Sequence, residues 1–273
     1  MLEKSFENVK EKNPLIHNIT NYVTVNDVAN VILASGGSPI MSDEPEDVSD
    51  ITSICGGLNI NIGTLNKRSV EAMFISGEKS KELGHIVLLD PVGAGASKLR
   101  TETAIKIMKE IKPDVIRGNI SEIKTLALGC GTTKGVDADA SDVVTEENLD
   151  SMVEFAKAFS YKSGAVVAIT GAIDLIADSK KCYVIRNGSP MMSRITGTGC
   201  MLSGMATVYA VANPCNITDA VATSVCLMGL AGEIGVSNMK DNEGNSSLRN
   251  HIIDAIYNMD ADTLKKGAKY EVR

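Results

Sequence analysis

His85-Ile86-Val87-Leu88-Leu89-Asp90-Pro91-Val92-Gly93-Ala94-Gly95 decides the architecture of this chain. Ile86 to Leu89 are apolar without alternation. A strand with one wet face alternates polar and apolar side chains, whereas a strand covered on both faces does not. The run therefore predicts a strand over His85–Asp90, buried inside a parallel sheet and ending in an acid before a Gly-rich turn. Similar runs recur at Leu15–Asn18, Ser38–Met41, Leu58–Ile62, Asp114–Arg117 and Ala165–Thr170. Helical patterns separate them at Val25–Ala34, Pro45–Cys55, Ser69–Leu83, Thr101–Ile111, Ile120–Leu128 and Glu146–Lys162. This β-α-β-α order implies parallel strands joined by right-handed crossovers, hence a three-layer α/β/α fold. Leu175–Ala177 and Cys182–Arg186, split by Asp178 to Lys181, read as an edge hairpin. From Cys200 onward the chain reads as mainly helical. No linker or repeat interrupts it, so residues 1–273 are expected to form a single domain.

Composition narrows the function. The 273 residues are 44% hydrophobic and carry a net charge of -7. No basic stripe is present, which argues against a nucleic-acid partner. The N-terminus, charged from Glu3 to Lys12, lacks the apolar segment of a signal peptide. The longest uncharged stretch, Ile195 to Thr218, holds too many Gly, Asn and Thr to span a membrane. None of the six cysteines forms a Cys-x-x-Cys pair, and His17, His85 and His251 are widely separated, so no structural zinc site is expected. A soluble cytoplasmic protein with reduced thiols is the expectation.

Open parallel sheets bind ligands at the carboxyl ends of their strands. Those ends carry Thr20-Asn21-Tyr22, Ser42-Asp43, Pro91 to Gly95, Gly118-Asn119 and Gly171. The sharpest motif follows later, at Arg194-Ile195-Thr196-Gly197-Thr198-Gly199-Cys200 before an apolar helix. Glycines let a backbone approach a ligand, and the open amides of a helix N-terminus favour an anion. Cys200 stands in the first turn, where a lowered thiol pKa would make it a base. The same residues are also compatible with a glycine cap before an inert, buried cysteine. Asp90 is placed to hold a metal. Gly93 and Gly95 begin like a dinucleotide fingerprint, but Lys98 stands where its third glycine belongs, and no Walker A sequence occurs. In Arg117-Gly118-Asn119-Ile120-Ser121-Glu122, Glu122 either completes a capping box with Asn119 or helps hold Mg²⁺. Arg117 is placed to bind phosphate. An anion cradle, a carboxylate pair and no P-loop suggest phosphoryl transfer.

In combination, Pro14 to Asn21 with Val23, Gly36 to Met41, Asn59 to Gly63 with Thr64, Asp90 to Ala94, Arg117 to Glu122 and Gly197 to Cys200 resemble the hydroxyethylthiazole kinases of the ribokinase-like superfamily. The resemblance runs essentially end to end. Most ribokinase-like kinases carry Asp where Cys200 stands, and the cysteine points to the thiazole branch. The resemblance implies ATP-dependent phosphorylation of a small thiazole alcohol in thiamine salvage. It implies that Cys200 deprotonates the hydroxyl, that Gly197, Thr198 and Gly199 form the anion hole, and that Asp90 and Glu122 serve Mg²⁺. Arg117 and Thr170 would contact ATP. Asn21, Val23, Met41 and Gly197 would form the thiazole pocket, although Met41 is equally a common gap filler. A homotrimer with sites at subunit interfaces is implied as well. A hydroxymethylpyrimidine kinase of the same fold and a catalytically silent nucleotide-binding oligomer are the alternatives.

Overall fold

The computed structural model describes residues 1–129 and 143–273; Cys130 lies outside the described residues. In chain order the elements are α1 (Leu2–Lys12), β1 (Leu15–Ile19), α2 (Val25–Ser35), β2 (Ser38–Met41), α3 (Val48–Ile54), β3 (Gly57–Asn61), α4 (Lys67–Glu82) and β4 (Ile86–Asp90). Then follow α5 (Lys98–Glu110), β5 (Val115–Gly118), α6 (Ile120–Leu128), α7 (Leu149–Ser163), β6 (Val166–Ile169), β7 (Asp174–Ala177) and β8 (Cys182–Ile185). The chain closes with α8 (Thr198–Ala212), α9 (Ile217–Ser237), α10 (Asn245–Tyr257), α11 (Ala261–Gly267) and β9 (Tyr270–Val272).

One sheet orders the strands β2-β1-β3-β4-β5-β6-β7-β8-β9. The first six pair in parallel and the last three antiparallel. Apolar continuity from Ile86 to Leu89 has the predicted cause: Val87, Leu88 and Leu89 are all fully buried. The two faces supply two cores. Leu88 and Val115 join α1, α2, α8, α9 and α10 on one side. Leu89 and Ile116 join α3 to α7 on the other. The expected edge hairpin is present as β7 and β8, but it does not form the edge. The C-terminal strand β9 pairs Tyr183 with Val272 and covers β8. Tyr270-Glu271-Val272 is too short and too polar to announce itself. It is held by Arg186 and Arg273, both paired with Glu271. The amphipathic α1 also forms, burying Leu2, Phe6 and Val9.

Strand order creates the site. The chain steps from β1 outward to β2, then returns past β1 to β3. At such a reversal the loops part and leave a crevice outside the carboxyl ends. Asn21 follows β1 there and Asn61 ends β3. Helix α8 runs beneath the same strands and is nearly all buried from Met201 to Ala212. Helix α9 is apolar and long enough to cross a membrane, yet 78% of its apolar window is buried inside this fold.

Tyr209 is the largest fully buried side chain, and its hydroxyl has no partner among the described residues. An unmade bond to a buried polar group costs about 1–3 kcal/mol. Tyr209→Phe is therefore expected to raise stability by roughly 1 kcal/mol in urea unfolding. A loss of that size would mean that the hydroxyl is bonded.

Candidate active site

Asp90 ends β4 with no solvent exposure. Its Oδ2 accepts from Asn61 Nδ2 (2.8 Å) and Ser203 Oγ (2.7 Å). Arg117 Nη1 stands 3.5 Å from the same oxygen. Oδ1 has no hydrogen-bond partner among the described residues. Burial pushes the carboxyl up to about 6, and the neighbouring Glu122 adds to the rise, against the pull of Arg117, Ser203 and Asn61. A buried carboxylate oxygen is costly to leave unpaired, and a cation at Oδ1 would offset that cost.

Glu122 has a different environment. Its Oε2 accepts from Asn119 N (2.8 Å), and Asn119 Oδ1 accepts from Glu122 N (2.9 Å). The capping box foreseen as one reading is fully formed. Its Oε1 also accepts from Gly93 N (2.8 Å), which fastens the Gly-rich turn after β4 to α6. No cluster of three or more His, Cys, Asp or Glu side chains that could cage a metal occurs among the described residues. Mg²⁺ seldom requires such a cage, since it binds through one or two carboxylates together with substrate phosphates and water. Asp90, with its unpaired oxygen, and the nearby Glu122 carboxylate fit such an ion.

Arg117 points from β5 along the carboxyl edge, with Nη2 donating to Thr170 Oγ1 (2.6 Å) at the end of β6. Its guanidinium lies directly on Gly199. A Cβ at that glycine would sit 2.5 Å from Nη1 and 2.6 Å from Nη2. Gly197 has φ +87°, and a Cβ there would meet Thr24 Cγ2 at 2.2 Å. The two glycines thus admit two different neighbours: the β5 arginine and the turn before α2. The first helical bond of α8 runs from Met201 N to Gly197 O (2.9 Å). The amides before it, of Thr198, Gly199 and Cys200, precede that ladder at the helix's positive end.

Cys200 does not have the lowered pKa that its helix position suggested. Burial holds the thiol above the ordinary range and the Asp90 charge raises it further, although Thr24, Asn21 and Asn61 pull the other way. Without ligands the site therefore contains a thiol rather than a thiolate. Cys200 Sγ accepts from Asn21 Nδ2 (3.2 Å). Asn21 is buried, and its Oδ1 accepts from Thr24 N (3.1 Å) and Thr24 Oγ1 (3.0 Å). Its amide is thus committed within the protein, not open as a pocket wall. Val23 beside it is 57% exposed, and Met41 is half-buried at the end of β2.

The structure therefore gathers Asn21, Asp90, Arg117, Glu122, Thr170 and Gly197 to Cys200 at one edge, with Val23 and Met41 on the rim formed by β1 and β2. Sequence reasoning missed Asn61, Ser203, Thr24 and Asp174. Two asparagines spaced by two in the otherwise apolar β3 were a legible signal for Asn61. Ser203, one helical turn beyond Gly199, offered none.

A mostly parallel sheet, nine-stranded among the described residues, between two helical layers is the fold of the ribokinase-like kinases. The pyridoxal kinase of Staphylococcus aureus with AMP-PCP and pyridoxal shares this fold, at TM-score 0.62 and 13% identity over 95% of this chain and 97% of that one. A hydroxyethylthiazole kinase structure from Pyrococcus horikoshii OT3 superposes with TM-score 0.88 and 28% identity, covering 100% of this chain and 98% of that one. Residues 6–262 match the model of the hydroxyethylthiazole kinase family. The hydroxyethylthiazole kinase of Clostridium acetobutylicum is 58% identical over 271 residues, 99% of both chains, and that of Clostridium tetani is 46% identical over 96% of this chain and 94% of its own. The chain belongs to the hydroxyethylthiazole kinase family.

Asp174, at the start of β7, accepts from Gly171 N (2.8 Å), and burial pushes its carboxyl up to about 7. The folded protein thus holds a proton that the unfolded chain releases near the ordinary carboxylate pKa. Stability from this group is full below about pH 4 and is lost as pH rises through about 7, at roughly 1 kcal/mol per unit. Asp174→Asn keeps an acceptor for Gly171 and removes that slope. Its melting temperature relative to wild type is expected to rise between pH 5.5 and 8; parallel curves would contradict the shift.

Proposed function

We propose that this chain transfers the γ-phosphoryl group of ATP to the side-chain hydroxyl of 4-methyl-5-(2-hydroxyethyl)thiazole, giving the phosphate ester and ADP, in thiamine salvage. The single observation that carries the reading is Cys200 held by Asn21 at the N-terminus of α8, close enough to Asp90 to feel its charge. The family supports the substrate, and the geometry supports the roles.

Arg117 and Thr170 form one hydrogen-bonded pair across β5 and β6, ready to meet ATP phosphate oxygens. The amides of Thr198, Gly199 and Cys200 supply neutral donors for the transferred group. Asp90 and Glu122 would hold Mg²⁺, which when bound neutralises the charge of the phosphate oxygens. The unpaired Oδ1 of Asp90 would be available to such an ion. The substrate hydroxyl is placed against Cys200, with the thiazole ring between Gly197, Val23 and Met41 and with Asn21 behind the thiol. Asn21's N–H on Sγ favours the thiolate, the form that can accept the hydroxyl proton as the hydroxyl oxygen attacks the γ-phosphorus and ADP leaves. Burial holds the thiol protonated, so Cys200 must first release that proton to solvent before it can act as the base.

Assembly belongs to the same proposal. Val23 stands on a rim that continues into exposed apolar side chains: Tyr22, Leu33 and Ile54 are 77%, 55% and 64% exposed. The outer edge of β2 is unpaired among the described residues. These features fit a homotrimer whose neighbouring subunit completes the thiazole pocket. The five described cysteines are all free, which fits the cytoplasm.

Purified protein with Mg²⁺ and ATP is expected to phosphorylate the thiazole alcohol. Turnover of a hydroxymethylpyrimidine but not of the thiazole would overturn the substrate. Light scattering is expected to give roughly three times 28.9 kDa; a fully active monomer at micromolar concentration would exclude shared sites.

Cys200→Ala is expected to lower kcat by about 10²–10⁴-fold with little change in ATP affinity. Cys200→Asp is expected to retain much of the activity, because a carboxylate is anionic at neutral pH and suits a helix N-terminus. An inactive Asp variant alongside a fully active Ser variant would remove Cys200 from proton transfer.

A further inference from the structure

Two buried amides connect the parts of the site that the reaction must bring together. Asn61, at 1% exposure, ends β3 between Asn21 after β1 and Asp90 ending β4. Its Oδ1 accepts from Gly63 N (2.9 Å) and Asn21 Nδ2 (3.0 Å). That leaves Nδ2 as the group facing Asp90 Oδ2 at 2.8 Å, so the amide has one possible orientation. Asn21 is fixed in the same way. Its Oδ1 is occupied by Thr24, and its Nδ2 serves both Asn61 and Cys200. The chain of bonds therefore has a single direction, from Thr24 through Asn21 to Cys200 and Asn61, and from Asn61 to Asp90.

We infer that Asn61 is a positioning residue that locks the thiol of the alcohol side and the carboxylate of the metal side into one rigid unit. At 1% exposure its side chain lies behind the reacting groups rather than open to a substrate. It acts through Asn21 on Cys200 and directly on Asp90, delivering N–H donors toward both acids. Reversing Asn61 would set oxygen against oxygen at Asp90, and reversing Asn21 would set N–H against N–H at Thr24 and oxygen against oxygen at Asn61, so the network tolerates one arrangement only. The register explains why an asparagine stands here: Asn61 pairs with Asp90 across β3 and β4. A residue in that place must accept from the turn at Gly63 and donate to the acid, and only an amide of this length does both.

This inference rests on the reading of Cys200 and Asp90 as the reacting end of the site. Its test uses the full-length protein and two substitutions. Asn61→Ala removes every bond. Asn61→Asp is nearly isosteric, keeps the acceptors for Gly63 and Asn21, and replaces the donor to Asp90 by a second carboxyl, so it is assayed at alkaline pH where the two do not share a proton. Partners of this kind typically contribute 10–100-fold to activity or metal affinity. For both variants kcat for the thiazole alcohol is expected to fall by about 10–100-fold, with KM for the alcohol and for ATP within about threefold. The Asp variant is expected to melt below wild type at alkaline pH, so its kcat is compared at a temperature where both are folded.

Peptide-resolved iodoacetamide labelling of Cys200 gives a readout independent of turnover. In the Asp variant an extra negative charge replaces a donor, so labelling is expected to slow by about fivefold or more. Wild-type kcat and wild-type labelling in the Asp variant would overturn the inference, because the retained turn would then be all that Asn61 provides. Raised KM with unchanged kcat in either variant would overturn it as well. If the Ala variant does not fold, the Asp variant decides alone. If the wild type does not phosphorylate the thiazole, the substrate reading falls and the labelling rate still decides the role of Asn61.

Discussion

A carboxylate with no water around it must be compensated by the protein, and Asp90 sets that demand for the whole molecule. Three separate elements answer it: Asn61 from β3, Arg117 from β5 and Ser203 from α8. Each answer fixes geometry elsewhere. Ser203 can reach Asp90 only if α8 lies against the strands, and α8 in that place puts its N-terminal amides at the carboxyl edge. Arg117 can reach across only if the helix begins without a side chain at Gly199. Burying a charge is expensive unless it is paired and hydrogen-bonded. The fold carries that cost at one point, and Oδ1 is the part it leaves unpaired.

The same demand accounts for the restrained chemistry of Cys200. A helix N-terminus ordinarily lowers a thiol pKa. Here burial and the Asp90 charge outweigh the helix, and the thiol is raised. The two acids are linked electrostatically and through the asparagines between them.

Glu122 shows how a structural and a functional role share one side chain. Both of its oxygens accept backbone N–H groups, one in a capping box and one from the turn after β4. It fixes the distance between the Gly-rich turn and α6, and it leaves its charge beside Asp90. Of the two readings of Arg117 to Glu122 made from sequence, the capping box is formed, and it still leaves lone pairs on the carboxylate for the proposed metal.

The sequence by itself determined the layer architecture and most of the site. Unbroken apolar runs such as Ile86–Leu89 have one stable environment, a sheet covered on both faces, and the acids and glycines after them mark its carboxyl edge. Periodicity is a local signal, so β1 to β8 and α2 to α7 were legible from it to within a few residues. The tertiary structure alone decided the rest. β9 is three residues long, and only its partners Tyr183 and Ile185 make it a strand. Asn61 is an unremarkable residue until β3 lies in register with β4 and its amide meets Asp90. The direction of the Cys200 shift depends on which charge lies nearby and how much water is excluded. Those are properties of distances between elements far apart in the chain, and no local pattern encodes them.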